Sequence, residues 1–439
     1  MSAAPTVSVL VPSWNGRRHL ELCLPALVAQ DDPGVAWEIV VLDNGSSDGT
    51  IAWLAAAYPR IRRIASPVNL GFCAAFDRLI GAAAGEWIAL LNNDTRPAPQ
   101  WLASLVDALA RAPRDVAGVA GQIVDWEGER LDFGRGILAF DGHALQLDFR
   151  RPLQQARIPE SGEEVLVACA GNALLRKSSY LGAGGFDPSY FAYLEDVDLS
   201  WRLWAGGERL LFSREAVVRH RSSATSDVFG SARRGFLFER NALATAYKNF
   251  EPGLWEQMMP AVWMTLASRL ENLLATANAG GQDLRVDPFQ TAAGSSEPPP
   301  SAESLADKWR RYGPTEFARR GARKALHSVR GRMAGGGGRG GASGRLEVAD
   351  PRTFEHLRAL SIFLAGLDGV ERARRAAQAR RRVPDREIFR RFPLWIVPTY
   401  PGDERLFSGA AFTAALPRDL VFERGRLDEV MELAPASPT

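Results

Sequence analysis

Cysteine and histidine, the residues of disulfide frameworks and zinc sites, are scarce in this sequence. Its 439 residues include three Cys and five His. Cys23, Cys73 and Cys169 lie far apart in helix- and strand-like segments and lack the spacing of metal ligands, which indicates small core residues in a reducing compartment. No two histidines have the HExxH spacing, so the sequence argues against a zinc hydrolase.

An excess of charge of one sign and a long apolar run are also missing. The 53 basic and 51 acidic residues leave a net charge of +2, which argues against nucleic-acid binding by the chain as a whole. No stretch approaches the roughly 18 uninterrupted apolar residues of a membrane-spanning helix. The N-terminus leads directly into a strand pattern, without the composition of a signal peptide. We therefore expect a cytoplasmic protein.

Two common nucleotide-binding motifs are absent as well. No GxGxxG follows either of the first two predicted strands, which argues against a Rossmann cofactor site. No GK[ST] is present, which excludes a Walker loop. The chemistry is therefore expected to depend on polar and acidic groups in other loops.

The N-terminal part alternates between short apolar runs and segments with apolar residues at helical spacing. Strand-like runs cover residues 7–11, 37–42, 61–65 and 87–91, and helical segments cover residues 20–29, 51–57 and 72–84. This alternation predicts a mostly parallel α/β sheet with right-handed crossovers. Ligands of such sheets bind at the carboxyl ends of the strands, where the loops PSWNG, DNGSSDGT and NNDT are expected to lie.

The rest of the chain changes in character several times. Short strands and glycine-rich turns are predicted over residues 118–176, and helices over 233–250, 260–278, 351–367 and 368–382. Residues 280–304 and 335–344 have the composition of flexible linkers, and irregular, partly β structure is predicted from about residue 390. We therefore expect a domain at 1–250, a helical extension at 251–279, a flexible, partly basic linker at 280–350, and a small helical or irregular region at 351–439.

The sequence FAYLEDVDLSWR, at residues 191–202, concentrates carboxylates at the start of a predicted helix. The adjacent Glu195 and Asp196 lie among aromatic residues, and burial of this kind suits a general base. Asp198 and Arg202 are one turn apart, which predicts an ion pair on one helix face. An acidic first turn also has a simpler interpretation, stabilisation of the helix dipole. The segment alone does not decide between the two.

Three further polar groups follow predicted strands, and each is ambiguous by itself. Asp94 in LNNDT could bind Mg²⁺, which often uses one or two carboxylates with substrate phosphates, or could form an Asn/Asp turn. Asp43 in DNGSSDGT could bind a base or ribose, or could serve turn and cap chemistry. His220 could bind a metal or a phosphate, or could be structural.

Taken together and in order, the motifs are far more specific. The chain contains VPSWNG, VVLDNGSSDGT, NLGFCAAFDRLI, ALLNNDT, AGNALLRK, GGFDPSYFAYLEDVDLSWRLWAGG and RH. This series closely resembles the family 2 glycosyltransferases of the GT-A fold, particularly the bacterial branch that contains rhamnosyltransferases. The resemblance covers residues 6–250 and implies an α/β nucleotide-sugar-binding domain with a mainly helical C-terminal extension.

The resemblance also implies roles for single residues. Asp196 corresponds to the catalytic base, and Glu195 to a residue that orients the acceptor. Asp94 corresponds to the metal-binding Asp, and His220 to a further metal or diphosphate ligand, so a divalent cation, Mg²⁺ or Mn²⁺, is expected. The donor-binding positions are Pro12, Asn15, Asp43, Asn69, Gly71 and Asn93. The motif NND has only one carboxylate, which leaves the choice of metal open.

The implied reaction is an inverting transfer from a nucleotide-sugar, a dTDP- or UDP-sugar with dTDP-rhamnose preferred, to a saccharide or lipid-linked saccharide. Three alternative functions are an inactive nucleotide-sugar-binding or assembly protein, a nucleotidylyltransferase, and a glycoside hydrolase with paired carboxylates. The Arg-rich segments 319–332 and 372–382 could contact anionic lipid on the inner face of the cell membrane, or could be a solvated basic face or linker. The sequence does not indicate an oligomeric state.

Overall fold

The first four strands build the parallel half of a larger sheet. They are β1 (Val7–Ser13), β2 (Trp37–Asn44), β3 (Arg62–Ser66) and β4 (Trp87–Leu91), joined by α1 (Arg17–Val28), α2 (Thr50–Ala57) and α3 (Phe72–Ala82). In this computed structural model, residues 6–221, 230–276 and 351–432 are described. Strand β1 is buried along its whole length and pairs in parallel with β2 and β4, as the alternating pattern predicts.

The sheet becomes mixed where the chain continues. Its order is β3-β2-β1-β4-β10-β6-β11-β5, and β7 pairs with β6. The added elements are β5 (Thr95–Pro97), α4 (Trp101–Arg111), β6 (Val116–Asp125), β7 (Leu131–Phe133), β10 (Asn172–Arg176) and β11 (Arg209–His220). Strand β10 is antiparallel to both of its neighbours, whereas β6 and β11 are parallel to each other. The α/β class expected from the sequence is confirmed.

A second group of elements surrounds the mixed half of the sheet. A hairpin forms from β8 (Arg135–Leu138) and β9 (Ala144–Leu147), followed after β10 by α5 (Lys177–Gly182), a 3₁₀ turn (Pro188–Tyr190) and α6 (Glu195–Ala205). Two long helices follow, α7 (Gly230–Asn249) and α8 (Pro252–Thr276). Helix α8 begins at Pro252, eight residues before the predicted start at Pro260, because proline is favourable in the first helical turn. None of the helices described is long and apolar enough to cross a lipid bilayer.

The chain divides into two compact units. One consists of Met1–Leu273 together with Asp350–Thr439, and the other of Leu274–Ala349. The predicted linker at residues 280–350, with its basic segment at 319–332, lies outside the described residues. The C-terminal part of the first unit contains α9 (Pro351–Ala365), α10 (Leu367–Arg380), α11 (Asp385–Arg391), β12 (Leu394–Ile396), α12 (Asp403–Phe407), α13 (Ala410–Ala414), β13 (Phe422–Arg424) and α14 (Leu427–Val430).

The region after residue 390 is more ordered than the sequence predicts. Helices α11 to α14 have four to seven residues each, which is too short for helical periodicity to be visible. Strands β12 and β13 pair in parallel, and Trp395 of β12 also bridges to Ala139 beside the β8–β9 hairpin. Within the part predicted as irregular and partly β, the structure has the three short helices α12 to α14 and the strands β12 and β13, and helices are consistent with the helical or irregular region expected at 351–439.

Two arginines in and directly after helix α10 bind the C-terminal end of α7. Arg374 donates hydrogen bonds to the carbonyls of Tyr247 and Phe250, and Arg381 donates to the carbonyl of Asn249, at the C-terminal end of α7. Guanidinium groups here satisfy carbonyls that lack partners within the helix and complement the helix dipole. These two arginines therefore fix α10 to the domain. Contact of the 372–382 segment with anionic lipid stays a prediction.

Candidate active site

A cavity of about 720 Å³ opens at the carboxyl ends of β1 and β4. Most residues singled out from the sequence line it: Pro12, Asn69, Gly71, Asn93, Asp94, Glu195, Asp196 and His220. Asn15 and Asp43 are not among the lining residues. The structure therefore brings together residues from five separate segments of the chain, as expected for a ligand site at the strand ends of an α/β sheet.

Asn15 and Asp43 instead fix the loops that border the cavity. The side-chain oxygen of Asn15 accepts a hydrogen bond from the backbone amide of Ser47 (2.8 Å). The backbone amide of Asn15 donates to the Ser46 hydroxyl (2.8 Å). Asp43 accepts from the amide of Ser46 (3.2 Å). The loop after β1 is thereby tied to the loop after β2. Asn15 has a φ of 47°, a left-handed conformation that asparagine tolerates better than most residues.

A second polar network positions the loop before α3. The amide nitrogen of Asn44 donates to the Asn69 side chain (3.0 Å) and to the carbonyl of Gly71 (3.2 Å), while its oxygen accepts from the amide of Leu70 (3.0 Å). Gly71 has a φ of +82°, and a Cβ there would lie 2.5 Å from the ring of Phe191. Only glycine allows this close approach between the loop before α3 and the acidic segment at residues 191–202.

The acidic and basic groups expected to bind a metal do lie together. The Nε2 atom of His220 is 3.4 Å from Oδ1 of Asp94, because Thr95 of β5 pairs with His220 of β11. The Nδ1 atom of His220 is 2.7 Å from Oδ2 of Asp132, which also lines the cavity. Burial lowers the pKa of His220, but the hydrogen bonds and charges of Asp132 and Asp94 outweigh it and raise that pKa to about 10.

Asp132 has no motif that would identify it from the sequence. It lies in the three-residue strand β7 and is only 5% exposed. Sequence reasoning missed it because a lone Asp in a short β segment is indistinguishable from an ordinary surface residue. The missing signal is spatial, since Asp94 and Asp132 are 38 positions apart in the sequence and the sheet brings both to His220.

The donor set fits a divalent cation that substrate phosphates also hold. No group of three or more His, Cys, Asp or Glu side chains is arranged to hold a metal within the part of the chain that the structure describes. Asp94 and His220 nevertheless supply one carboxylate oxygen and one imidazole nitrogen, 3.4 Å apart. Neighbouring ligands of an octahedral ion with bonds of about 2.1 Å lie about 3 Å apart. Two protein ligands plus a diphosphate make a reasonable Mg²⁺ or Mn²⁺ site.

The paired carboxylates follow a strained turn. Phe191, Tyr193 and Leu194 all have positive φ values of 64°, 70° and 64°, a conformation that costs free energy in residues other than glycine. The amide nitrogen of Asn241 on α7 holds this turn, since it lies within 3.1 Å of the carbonyl oxygens of Tyr190, Ala192 and Tyr193. Sequence reasoning missed Asn241, which is fully buried.

The turn places Glu195 and Asp196 at the start of α6 in different electrostatic surroundings. Burial raises the pKa of Asp196, while backbone amides of Val197 (2.8 Å) and Ala170 (3.3 Å) donate to its carboxylate and favour the charged form. Burial, followed by the charge of Asp196, raises the pKa of Glu195 well above its usual range. Because the amide donors stabilise a negative charge on Asp196, this residue is the better placed of the two to act as a base.

Glu195 also has an unsatisfied oxygen. Its side chain is 6% exposed, and its Oε2 atom has no hydrogen-bond partner among the described residues. A buried polar atom without a partner costs free energy of about 1–3 kcal/mol. Since Glu195 lines the cavity, a hydroxyl group of a bound ligand would satisfy this atom.

The ion pair expected on α6 is present and buried. Arg202 lies 2.7 Å from Asp198, and Lys248 of α7 lies 2.9 Å from the other oxygen of the same carboxylate. Burial alone would raise the pKa of Asp198, but Arg202 and Lys248 outweigh it and lower that pKa to about 2. Lys248 also contacts Asp187 (2.7 Å), in the loop before the acidic turn. Asp198 therefore anchors the helix whose first turn carries Glu195 and Asp196.

The C-terminal part of the chain completes the cavity. Thr399, Tyr400 and Met431 belong to its lining. The hydroxyl of Tyr400 donates to Glu239 of α7 (2.7 Å), and the same carboxylate contacts His143 (3.0 Å). Sequence reasoning limited the functional part of the chain to the first 250 residues, and therefore missed this wall.

Comparison with known proteins identifies several relatives of this chain. The sequence model of glycosyl transferase family 2 matches residues 8–181. The chain is 31% identical over 233 residues to an N-acetylglucosaminyl-diphospho-decaprenol L-rhamnosyltransferase of Mycobacterium tuberculosis, an alignment that covers 48% of this chain and 75% of that protein. It is 26% identical over 222 residues to the glycosyltransferase AglE of Haloferax volcanii, covering 50% of this chain and 68% of AglE.

Solved structures with a similar backbone are more distant. One is GalNAc-T7 with UDP, GalNAc and Mn²⁺, with 16% identity, a TM-score of 0.46, and coverage of 62% of this chain and 51% of that one. Another is the mannosyltransferase PcManGT of Pyrobaculum calidifontis in complex with GDP-Man and Mn²⁺, with 16% identity, a TM-score of 0.42, and coverage of 83% and 88%.

Proposed function

This chain belongs to glycosyl transferase family 2 and has the GT-A fold, and from that membership we propose that it is an inverting transferase of cell-surface polysaccharide synthesis. The proposed donor is a nucleotide-sugar, a dTDP- or UDP-sugar, and rhamnose is the proposed sugar. The proposed acceptor is a hydroxyl group of a saccharide or lipid-linked saccharide. The 31% identity to a rhamnosyltransferase that is named for a lipid-linked substrate supports this choice.

One observation carries the proposal: a single cavity is lined by Asp94 and His220 and by the buried carboxylates Glu195 and Asp196. Asp94 and His220 lie next to the donor-side loops, and we assign to them the divalent cation and the diphosphate of the donor. A bound cation would neutralise the charge that develops on the departing diphosphate. Asn69, Gly71 and Asn93 border the same side of the cavity, where Asn93 is held by a hydrogen bond to Ser13 (2.9 Å).

The carboxylates supply the proton chemistry of an inverting displacement. The acceptor oxygen attacks the anomeric carbon from the face opposite the diphosphate, and its proton passes to the carboxylate of Asp196. The bond between the anomeric carbon and the diphosphate oxygen breaks, and its electron pair leaves with the nucleoside diphosphate. General-base assistance of this kind contributes about 10²–10⁴-fold in rate. The unsatisfied oxygen of Glu195 is available to hold a second group of the acceptor.

Aromatic residues favour a saccharide on the acceptor side. Tyr193 and Phe238, which both line the cavity, stack with ring centroids 4.5 Å apart, and Tyr400 lines the cavity as well. Aromatic rings offer apolar faces with polar edges, which suits a ligand that presents both C–H groups and hydroxyls. A lipid-linked acceptor would bring the protein to the membrane surface, so peripheral association with the inner face of the cell membrane remains part of the proposal.

The test is nucleotide release from a panel of dTDP-rhamnose, UDP-sugars and GDP-sugars, with Mg²⁺ or Mn²⁺ and with EDTA. We expect slow, metal-dependent hydrolysis of one donor by the wild type and its loss in Asp196→Asn and Asp94→Ala. Asp77→Asn is the matched control, because Asp77 is a partly buried carboxylate that contacts Tyr180 (2.8 Å) and does not line the cavity.

Two other results would contradict the proposal in different ways. Donor binding without turnover, unchanged by Asp196→Asn and persisting when lipid-linked saccharides are added, would indicate a binding or assembly protein. The absence of binding to every nucleotide-sugar in the panel would refute the transferase function itself.

A further inference from the structure

We propose that Asp132 is the positioning residue of the cation site: it holds the ring of His220 so that Nε2 faces the cation beside Asp94. This inference rests on the proposed function and extends it to a residue outside the sequence motifs. The geometry that carries it is a line of contacts from Asp132 to His220 (2.7 Å) and from His220 to Asp94 (3.4 Å).

The backbone aims Asp132 at His220 through a β-bulge. Strand β7 pairs antiparallel with β6, where Ile123 faces Phe133 but Val124 faces Leu131. Asp132 is therefore the extra residue on the bulged strand. Bulges redirect side chains and occur preferentially next to active sites. The bulge in β7 therefore accounts for the direction of the Asp132 side chain.

Asp132 makes the shorter of the two carboxylate contacts to the His220 ring, 2.7 Å at Nδ1 against 3.4 Å between Nε2 and Asp94. His220 is the last residue of β11, and its backbone position is set by pairing with Thr95 and Asp125. Backbone pairing leaves the imidazole free to rotate about its side-chain bonds. A carboxylate that accepts the Nδ1 proton selects one ring orientation, and a cation that displaces the proton from Nε2 would then find the Nε2 lone pair already directed into the cavity.

Burial makes the contact more than a surface ion pair. The side chains of His220, Asp132 and Asp94 are 18%, 6% and 7% exposed. Exposed pairs of this type are held weakly and are screened by salt, whereas a buried carboxylate–imidazole contact in a cavity stays oriented. Carboxylate–histidine–metal arrangements raise the basicity of the ligand, and loss of the outer carboxylate typically weakens metal affinity by about 10–100-fold.

The experiment measures metal binding directly and needs no acceptor. Wild type, Asp132→Ala, Asp132→Asn and His220→Ala are titrated with MnCl₂ in the presence of dTDP and, in parallel, UDP, and free Mn²⁺ is quantified by EPR. Pulsed EPR on the bound Mn²⁺ then reports whether a histidine nitrogen is coordinated. Asp77→Asn again serves as the control carboxylate, and nucleotide binding in EDTA together with circular dichroism reports the integrity of each variant.

We expect Asp132→Ala to weaken Mn²⁺ binding by about 10–100-fold and to remove the nitrogen signal, as His220→Ala does. Asp132→Asn should weaken it less, because an amide oxygen can still accept the Nδ1 proton. Nucleotide binding in EDTA by the two Asp132 variants should stay within about twofold of wild type, since both keep His220 and Asp132 is assigned no contact with the nucleotide. Should Asp132→Ala fail to fold, the smaller Asp132→Asn effect decides the question.

Unchanged Mn²⁺ affinity with a retained nitrogen signal in Asp132→Ala would overturn the proposal and leave Asp132 as a structural partner of His220. Absence of Mn²⁺ binding by the wild type with either nucleotide would overturn the cation site and the inference together. The transferase function would survive that result if donor hydrolysis still depended on Asp196 in the presence of EDTA, so the two failures are distinguishable.

Discussion

Asp198→Asn should destabilise the protein by about 3 kcal/mol, because the substitution removes a buried charge and keeps the shape of the side chain. The carboxylate of Asp198 is completely buried and contacts Arg202 (2.7 Å) and Lys248 (2.9 Å). Its pKa falls from the usual 3.8 to about 2, and this difference corresponds to about 2.5 kcal/mol of charge-dependent stabilisation. Breaking a buried pair typically costs about 3–5 kcal/mol, so an effect of about 3 kcal/mol lies between the first figure and the lower end of this range.

The dependence on pH has a definite sign. A carboxyl group whose pKa is lower in the folded state contributes stability above its unfolded pKa, here 3.8, and loses that contribution as the pH falls through about 2. The difference in unfolding free energy between wild type and Asp198→Asn should therefore be constant between pH 7 and pH 5. It should begin to shrink only below about pH 4.

The assay is urea unfolding followed by tryptophan fluorescence, since Trp201 and Trp204 are buried on the same helix. The matched control is Glu21→Gln, which removes another ion pair at the same i, i+4 spacing: Arg17–Glu21, 3.0 Å, with side chains 45% and 44% exposed. Exposed pairs contribute about 0–1 kcal/mol. Equal effects of the two substitutions, or a difference that changes between pH 7 and pH 5, would refute the reasoning.

Two further substitutions test the acidic turn from opposite sides. Gly71→Ala should weaken donor binding, because the new Cβ would lie 2.5 Å from the Phe191 ring and the φ of +82° disfavours alanine. Calorimetry with dTDP and UDP measures the loss of affinity. An affinity within twofold of wild type would contradict the argument that the Cβ crowds the Phe191 ring. Asn241→Ala should lower the rate of donor hydrolysis more than the affinity for the donor, because it removes the amide that holds the turn before Glu195. Each buried carbonyl left without a hydrogen bond costs about 1–3 kcal/mol. An unchanged rate would show that the turn keeps its shape without this amide.

The parallel half of the sheet could be predicted because its information is local. Each strand from β1 to β4 is a short apolar run that ends in a polar loop, and Asn93 and Asp94 line the cavity at the carboxyl end of β4, where the strand-end rule predicts a ligand site. The first turn of α1 was not predicted, since it begins with Arg17, Arg18 and His19 and shows no apolar periodicity.

The remaining contacts depend on pairs that are distant in sequence. Asp132 meets His220 across 88 positions, and Tyr400 meets Glu239 across 161. Neither pair has a recognisable motif, because the sheet and the helices determine which side chains meet. The motifs likewise could not show that Asn15 and Asp43 fix the loops and lie outside the cavity lining, since a turn residue and a ligand-binding residue can share the same short motif.

The wall formed by Thr399, Tyr400 and Met431 has a consequence for the order of synthesis and for the design of fragments. These residues leave the ribosome long after the matched region at 8–181. Until then Arg269 lacks its ion pair with Asp403, and Trp201 lacks its hydrogen bond to Asp385. A recombinant fragment that stops near residue 250 would contain every motif of the family and still expose Trp201 and Phe250, so we expect it to aggregate. The shortest useful expression fragment should therefore extend past Met431.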